Sequence, residues 1–209
     1  MSRKVRRVPV SLDSKGITQL SDSEIAMILR GADDLIGTGG RNLLSRILKG
    51  SRIKRLLELG LDQSPVFGAL GDLSLELITA RIDWLIINDY LAIEYDYRLP
   101  MLIYTHKGWE IERKTYTAEM WMKLDQQISR GDSLESLEWL NEINRQVIMG
   151  LLDAIEASAN SKYLPALRSW SSIAVRKVRQ KIEKIISFIS DHDGGPLFDR
   201  EFPYPGDEE

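Results

Sequence analysis

The chain has 209 residues, 43% of them apolar and 28% charged, with a net charge of −3, a composition ordinary for a soluble globular protein of one or two domains. Cysteine is absent, which excludes disulfide frameworks, thiolate zinc sites and cysteine nucleophiles. No apolar run approaches the roughly 18 residues of a membrane helix, and the start MSRKVRRVPVSL lacks the long apolar region of a secretion signal, so a cytoplasmic protein without a membrane partner is expected.

The net charge conceals an asymmetry. Residues 1–55 hold twelve Lys or Arg against five Asp or Glu, residues 56–114 five against ten, and residues 115–209 eleven against sixteen. Cations gathered on one surface release condensed counterions from a phosphate backbone whatever the far side carries. The basic front therefore points to a polyanion partner.

In chain order, residues 1–20 carry Arg3, Lys4, Arg6 and Arg7 with little apolar periodicity and read as a flexible basic arm, either a solvated tail or an arm along DNA phosphates. Ser21 and Glu24 have capping-box spacing, which predicts a helix that buries Ile25, Ile28 and Leu29 and ends at Gly31. Gly37, Gly39 and Gly40 are not followed by the Lys-Ser or Lys-Thr of a Walker motif, so no ATP site is expected. They read as an interhelix turn or as a backbone phosphate contact helped by Arg41.

Leu44, Ile47 and Leu48 repeat at helical spacing before Lys49, Gly50 and Ser51 break the helix, and Arg52, Lys54 and Arg55 then start another. A helix N-terminus offers free N–H groups and a positive dipole end, to which a Ser hydroxyl and flanking cations add. Lys49, Ser51 and Arg52 thus read as a phosphate clamp, or as a capped helix with a solvated face. In the third helix Leu75, Ile78, Ile82 and Leu85 form one stripe behind Ser74 as N-cap. Off the stripe stand Glu76, Thr79, Ala80, Arg81, Asp83 and Trp84, with one cation against two carboxylates. Such a helix is a poor major-groove reader and is expected to pack inward or aside.

The β-branched and aromatic run YLAIEYDYRLPMLIY predicts a hairpin. Leu91, Ile93 and Tyr95 alternate on one strand, Met101 and Ile103 on the other, and Asp96, Tyr97, Arg98 and Leu99 lie near the tip before Pro100. Tyr97 either stacks on the last base pair of a duplex or folds back onto the wing, and Arg98 is placed to meet a phosphate. Thr105 is expected to cap a short helix weakened by Gly108, with Trp109 against the wing base. His106 and His192 are the only histidines and no third ligand stands at metal spacing, so no metal, cofactor or catalytic group is assigned.

Helix, helix, helix, hairpin is the winged-helix order. LKGSRIKR, SPVFG, the third helix, the hairpin and THKGW, in this order and spacing, resemble the RQC domain that follows the motor in RecQ-family helicases, over roughly residues 22–113. The resemblance implies binding of duplex or junction DNA, backbone contacts at Lys49 and Ser51, and a wing that can pry bases apart, in a chain without the motor. The candidate DNA-binding residues are Arg41, Lys49, Ser51, Arg52, Lys54, Arg55, Tyr97 and Arg98.

From Thr117 the pattern is helical. Met120, Trp121 and Leu124 form one segment, Gly131 and Asp132 interrupt it, and Leu134 to Ala157 read as one longer helix buried through Leu137, Leu140, Ile143, Val147, Leu151 and Ile155. The run from Gly150 through Ile185 resembles a HEAT-type helical repeat, one unit of which cannot bury both faces alone. It reads as a partner-binding or dimerising domain, or as plain support. The tail 191–209 lacks periodicity and reads as disordered or surface-laid.

The expected architecture is mainly α with a small β-hairpin: an arm over 1–20, an RQC-like winged helix over 21–114, an all-α HEAT-like domain over 115–190, and the tail. The expected function is non-catalytic binding of double-stranded or branched DNA in repair or recombination. The alternatives are a protein-interaction scaffold and a winged-helix transcriptional regulator.

Overall fold

The computed structural model describes residues 7–131 and 137–192. The expectations for Arg3, Lys4 and Arg6, for the break at Asp132, and for the tail beyond His192 lie outside the described residues. The chain divides into two compact units, residues 1–112 and 113–209.

The first unit begins with α1 (Asp22–Asp33), whose capping box is formed as the Ser21/Glu24 spacing predicts. It runs two residues beyond Gly31, since that glycine lies in the core with no room to turn the chain: a Cβ there would meet Val66, Leu44 and Leu48. Next come α2 (Arg41–Lys49), the five-residue α3 (Lys54–Glu58), and α4 (Leu75–Ile87) capped by the Ser74 hydroxyl, which accepts from the Leu77 N–H at 3.2 Å. The strands β1 (Leu91–Asp96) and β2 (Leu99–Tyr104) then pair antiparallel around a two-residue tip, Tyr97–Arg98.

Ile28, Leu29, Leu44, Ile47, Leu48, Leu56, Ile78, Ile82 and Leu85 are completely buried in one core. Such burial removes roughly 1.5–3 kcal/mol of unfavourable hydration for each Leu or Ile and fixes the three long helices against one another. Across the wing, Leu91 faces Tyr104, Ile93 faces Leu102, and Tyr95 faces Pro100. The inward residue of β2 is therefore Leu102, which is fully buried, and Met101 and Ile103 point to the other face. The Tyr104 hydroxyl donates to the Leu29 carbonyl at 2.8 Å and ties the wing base to α1. Burial raises its pKa, and the nearby charges of Glu112 and Asp33 reinforce the rise.

The loop at Gly37–Gly40 does more than turn between helices. The Gly37 N–H donates to the Leu102 carbonyl at 2.9 Å, and the Leu102 N–H to the Gly39 carbonyl at 2.8 Å. A Cβ on Gly40 would stand 2.7 Å from the Pro100 carbonyl oxygen. Glycine is thus needed for the wing to dock on the start of α2.

The short helix expected at His106 is the start of the 25-residue α5 (His106–Arg130), and the division between the two units falls within it. Thr105 caps it, its hydroxyl accepting from the Gly108 N–H at 3.2 Å and donating to the Asp89 carbonyl at 2.6 Å. Gly108 does not end the helix. It lets the helix pass the Tyr90 carbonyl, into which a Cβ would run.

In the second unit the start of the helix expected over Leu134 to Ala157 lies outside the described residues, and its described part is not one continuous helix. A 3-10 turn spans Glu138–Asn141, and α6 (Arg145–Ser158) begins behind Asn144, whose side chain accepts from the Gln146 N–H at 2.8 Å. An Asn cap outcompetes a continuous helix here. The expected apolar stripe is nonetheless inward, with Leu137, Leu140, Val147, Leu151 and Ile155 buried. The helices α7 (Leu164–Ile173) and α8 (Arg176–His192) complete the unit. Trp170, Ile182 and Ile185 lie in its core. Tyr163 donates to Asp125 at 2.7 Å, and Lys162 reaches the same carboxylate at 2.7 Å. Burial would raise the pKa of Asp125, but the Lys162 and Tyr163 hydrogen bonds outweigh it and hold the group below its ordinary value.

Candidate nucleic-acid interface

The basic turn after α2 is built by two glycines. Gly50 adopts φ 74° and ends the helix, and a Cβ on it would stand 3.0 Å from the Cα of Gly68 in the SPVFG segment. The Gly68 and Leu70 N–H groups donate to the Ile47 and Leu48 carbonyls at 2.9 and 2.8 Å. The two motifs therefore meet backbone to backbone, and Gly68 of SPVFG together with Leu70 satisfies two carbonyls of the last turn of α2.

This arrangement places the expected clamp residues differently. Lys49 is the last residue of α2, and its Nζ donates to the carbonyls of Gly71 and Leu73. Its charge is spent holding the turn before α4. Ser51 does not cap a helix: its N–H donates to the Arg46 carbonyl at 2.9 Å, and the N-cap of α3 is Ile53, without a side-chain bond. Arg52, Lys54 and Arg55 are exposed, with Lys54 beside Glu58 at 3.6 Å in an ion pair open to solvent, where such a pair contributes little.

Arg41, at the start of α2, is drawn inward. Its guanidinium pairs with Asp83 of α4 and donates to the Ser11 carbonyl at 3.0 Å. Asp83 is 3% exposed and also accepts from the Asp13 N–H at 2.9 Å. These bonds belong to a segment, Arg7 to Ile17, that sequence reasoning treats as a loose arm. The Val8 N–H donates to the Arg98 carbonyl at 3.1 Å, the Tyr95 hydroxyl donates to the Val8 carbonyl at 2.9 Å, and the Arg7 guanidinium lies 4.8 Å from the centre of the Tyr95 ring. Further on, Lys15 pairs with Glu76 and Ile17 packs on the core. The segment crosses wing, α2 and α4, and covers part of α4.

At the wing tip Tyr97 is 71% exposed and takes φ 51°. Its ring does not fold back onto the wing. Arg98 follows it, also exposed.

Between the N-terminal segment, α2 and the wing lies a groove of about 480 Å³. Arg41, Arg46 and Arg55 line it together with Ile53, Ile93 and Met101, and no carboxylate does. Arg46 was not among the expected site residues. It sits four residues after Asn42, whose side chain accepts from its Nε at 2.9 Å, and that i,i+4 spacing on a basic helix was the available signal.

The RQC domain model matches residues 21–128, more than half of the chain. The chain belongs to the RQC domain family. The match takes in the interlocked KGS and SPVFG blocks, α4, the wing and nearly all of α5, and stops short of α6, α7 and α8; it does not extend to the expected HEAT-type repeat. Neither a curated protein nor a solved structure matches the chain.

The RQC domain is a non-catalytic, DNA-binding winged helix of RecQ helicases. Of the eight residues expected to contact DNA, this RQC domain presents Arg52, Lys54, Arg55, Tyr97 and Arg98 on its surface, and turns Arg41 and Lys49 to internal bonds. The N-terminus of α4 is held by Ser74. About two turns further along α4, Arg81 bonds Glu24 at 3.1 Å. Burial would raise the pKa of Glu24, but the bonds from Arg81 and from Ser21 keep the group below its ordinary value. Among the described residues no group of three or more His, Asp or Glu is placed to hold a metal, and no helix is long and apolar enough to cross a membrane.

Proposed function

We propose that the protein binds duplex DNA through backbone phosphates, with Arg52, Lys54 and Arg55 as the principal cations and the wing as a second point of contact. The observation that carries this reading is the exposed basic turn between α2 and α3 in a winged-helix domain of the RQC family. Exposed Arg and Lys gain from counterion release, and the solvated Lys54–Glu58 pair costs little to give up. The exposed Tyr97 supports a wedge role at duplex ends, since a ring free of the wing can stack on a terminal base pair for roughly 1–3 kcal/mol. Ended or branched DNA, as met in repair and recombination, is the substrate class that this wing suits.

Base reading by α4 is disfavoured. Glu76 and the covering N-terminal segment stand where a recognition helix needs cations and an open face. Fluorescence anisotropy with a blunt duplex over a range of salt tests the reading. Affinity that falls steeply with salt and is equal for unrelated sequences supports it, and absence of binding at low salt refutes it.

A further inference from the structure

We infer that the groove between the N-terminal segment, α2 and the wing is a second DNA site, which takes unpaired nucleotides of a strand released at a duplex end. The inference rests on the proposed duplex binding and adds a site to it.

Three observations support this site. The first is charge: the groove is lined by Arg46 and Arg55, by Arg41, whose charge is already paired with Asp83, and by no carboxylate, in a chain of net charge −3. The neighbouring depression between α2 and α4 shares Arg41 and Arg46, but there Asp13, Glu76 and Asp83 offset these arginines and Lys15. The second is chemistry, because Ile53, Ile93 and Met101 give an apolar wall beside the Arg46 and Arg55 guanidinium groups. An apolar face next to fixed cations suits a nucleotide, with its base against the wall and its phosphate on the arginines. A volume of about 480 Å³ lies within the range of sites for small molecules and is too small for a duplex. The third is position. Leu99 to Leu102 of β2 form one side of the groove, so a strand parted at the Tyr97 tip meets it directly. Val8 to Val10 also line the groove, and Val8 is fastened to the wing by its bonds to Arg98 and Tyr95.

The test compares a blunt duplex with the same duplex bearing a ten-nucleotide single-stranded arm, for the intact protein and for Arg46→Glu. Arg46 makes a hydrogen bond to the exposed Asn42, so its reversal leaves the core intact, as an unchanged melting temperature would confirm. The expected result is about tenfold tighter binding of the armed duplex, a preference that Arg46→Glu abolishes while its affinity for the blunt duplex stays within about twofold. Equal affinity of the intact protein for the two probes overturns the groove but leaves duplex binding standing. So does an equal loss on both probes with Arg46→Glu. Binding to neither probe overturns both readings. Photocrosslinking of the intact protein to iododeoxyuridine in the arm gives an answer free of any folding effect, with adducts expected on the apolar wall, at Ile53, Ile93 or Met101. Adducts confined to the second unit refute the site. An acidic decapeptide that binds in an Arg46-dependent way while the arm does not would reassign the groove to a protein segment and overturn the inference.

Discussion

Asp83→Ala separates the structural from the DNA-binding role of Arg41. The carboxylate is 3% exposed and holds two groups, the Arg41 guanidinium and the Asp13 N–H. Removing one partner of a buried pair costs about 3–5 kcal/mol, because the remaining charge is left desolvated. Arg41 keeps its bond to Ser11 and is 23% exposed, which places Asp83→Ala near the lower end, at about 3 kcal/mol. Arg41→Ala strands a less exposed charge and costs about 4 kcal/mol by the same principle. The double variant removes both charges, so its cost stays close to that of either single variant. Urea unfolding of the four proteins measures the cycle, and amide exchange at Asp13 reports whether the N-terminal segment has come loose. Additive costs, or a loss below about 1 kcal/mol for Asp83→Ala, would refute the placement of Arg41. At temperatures where it remains folded, Arg41→Ala should leave the salt dependence of blunt-duplex binding unchanged.

Three further outcomes follow from local geometry. Tyr97→Gly removes a side chain from a left-handed position that costs roughly 1–2 kcal/mol for an L-residue, so the domain should gain about 1 kcal/mol by thermal unfolding while losing affinity for duplex ends. A loss of stability would contradict the tip geometry. Gly108→Ala forces a methyl into the Tyr90 carbonyl and should cost at least about 3 kcal/mol, seen as a lowered urea midpoint; a neutral effect would contradict the junction between wing and α5. The bonds from Arg81 and Ser21 hold the Glu24 carboxyl below its ordinary value in the folded state, so its contribution is present above the unfolded pKa of about 4.3 and is lost as pH falls through the folded value. Glu24→Gln should lose less stability than the parent between pH 5 and pH 3, measured by urea unfolding at each pH.

Features with a local cause were legible in the sequence. The Ser21/Glu24 box, the Ser74 cap and the two-strand wing each depend on residues within a few positions, and each formed as expected. The KGS turn shows where local reading fails. Lys49-Gly50-Ser51 followed by three cations looks like a helix start, but Gly50 ends α2, Ile53 is the next cap, and Lys49 is claimed by carbonyls 22 and 24 residues away. The N-terminal segment was illegible for the same reason. It has no periodicity, and its order comes from bonds to Asp83 and Tyr95, 70 and 87 residues distant. The groove depends on four stretches that sequence keeps apart, so no motif could announce it. The continuity of α5 was hidden by Gly108, which reads as a breaker until Tyr90 is seen beside it.

The central claim is that exposed cations of the α2–α3 turn hold DNA phosphates. Its most direct test is the salt slope of duplex binding for the intact protein and for the triple variant Arg52→Glu, Lys54→Glu, Arg55→Glu. Each lost phosphate contact lowers the slope of log K against log salt by about 0.9, so a slope shallower by about 2.7 with greatly weakened binding is predicted. Identical slopes and affinities for the two proteins would contradict the account.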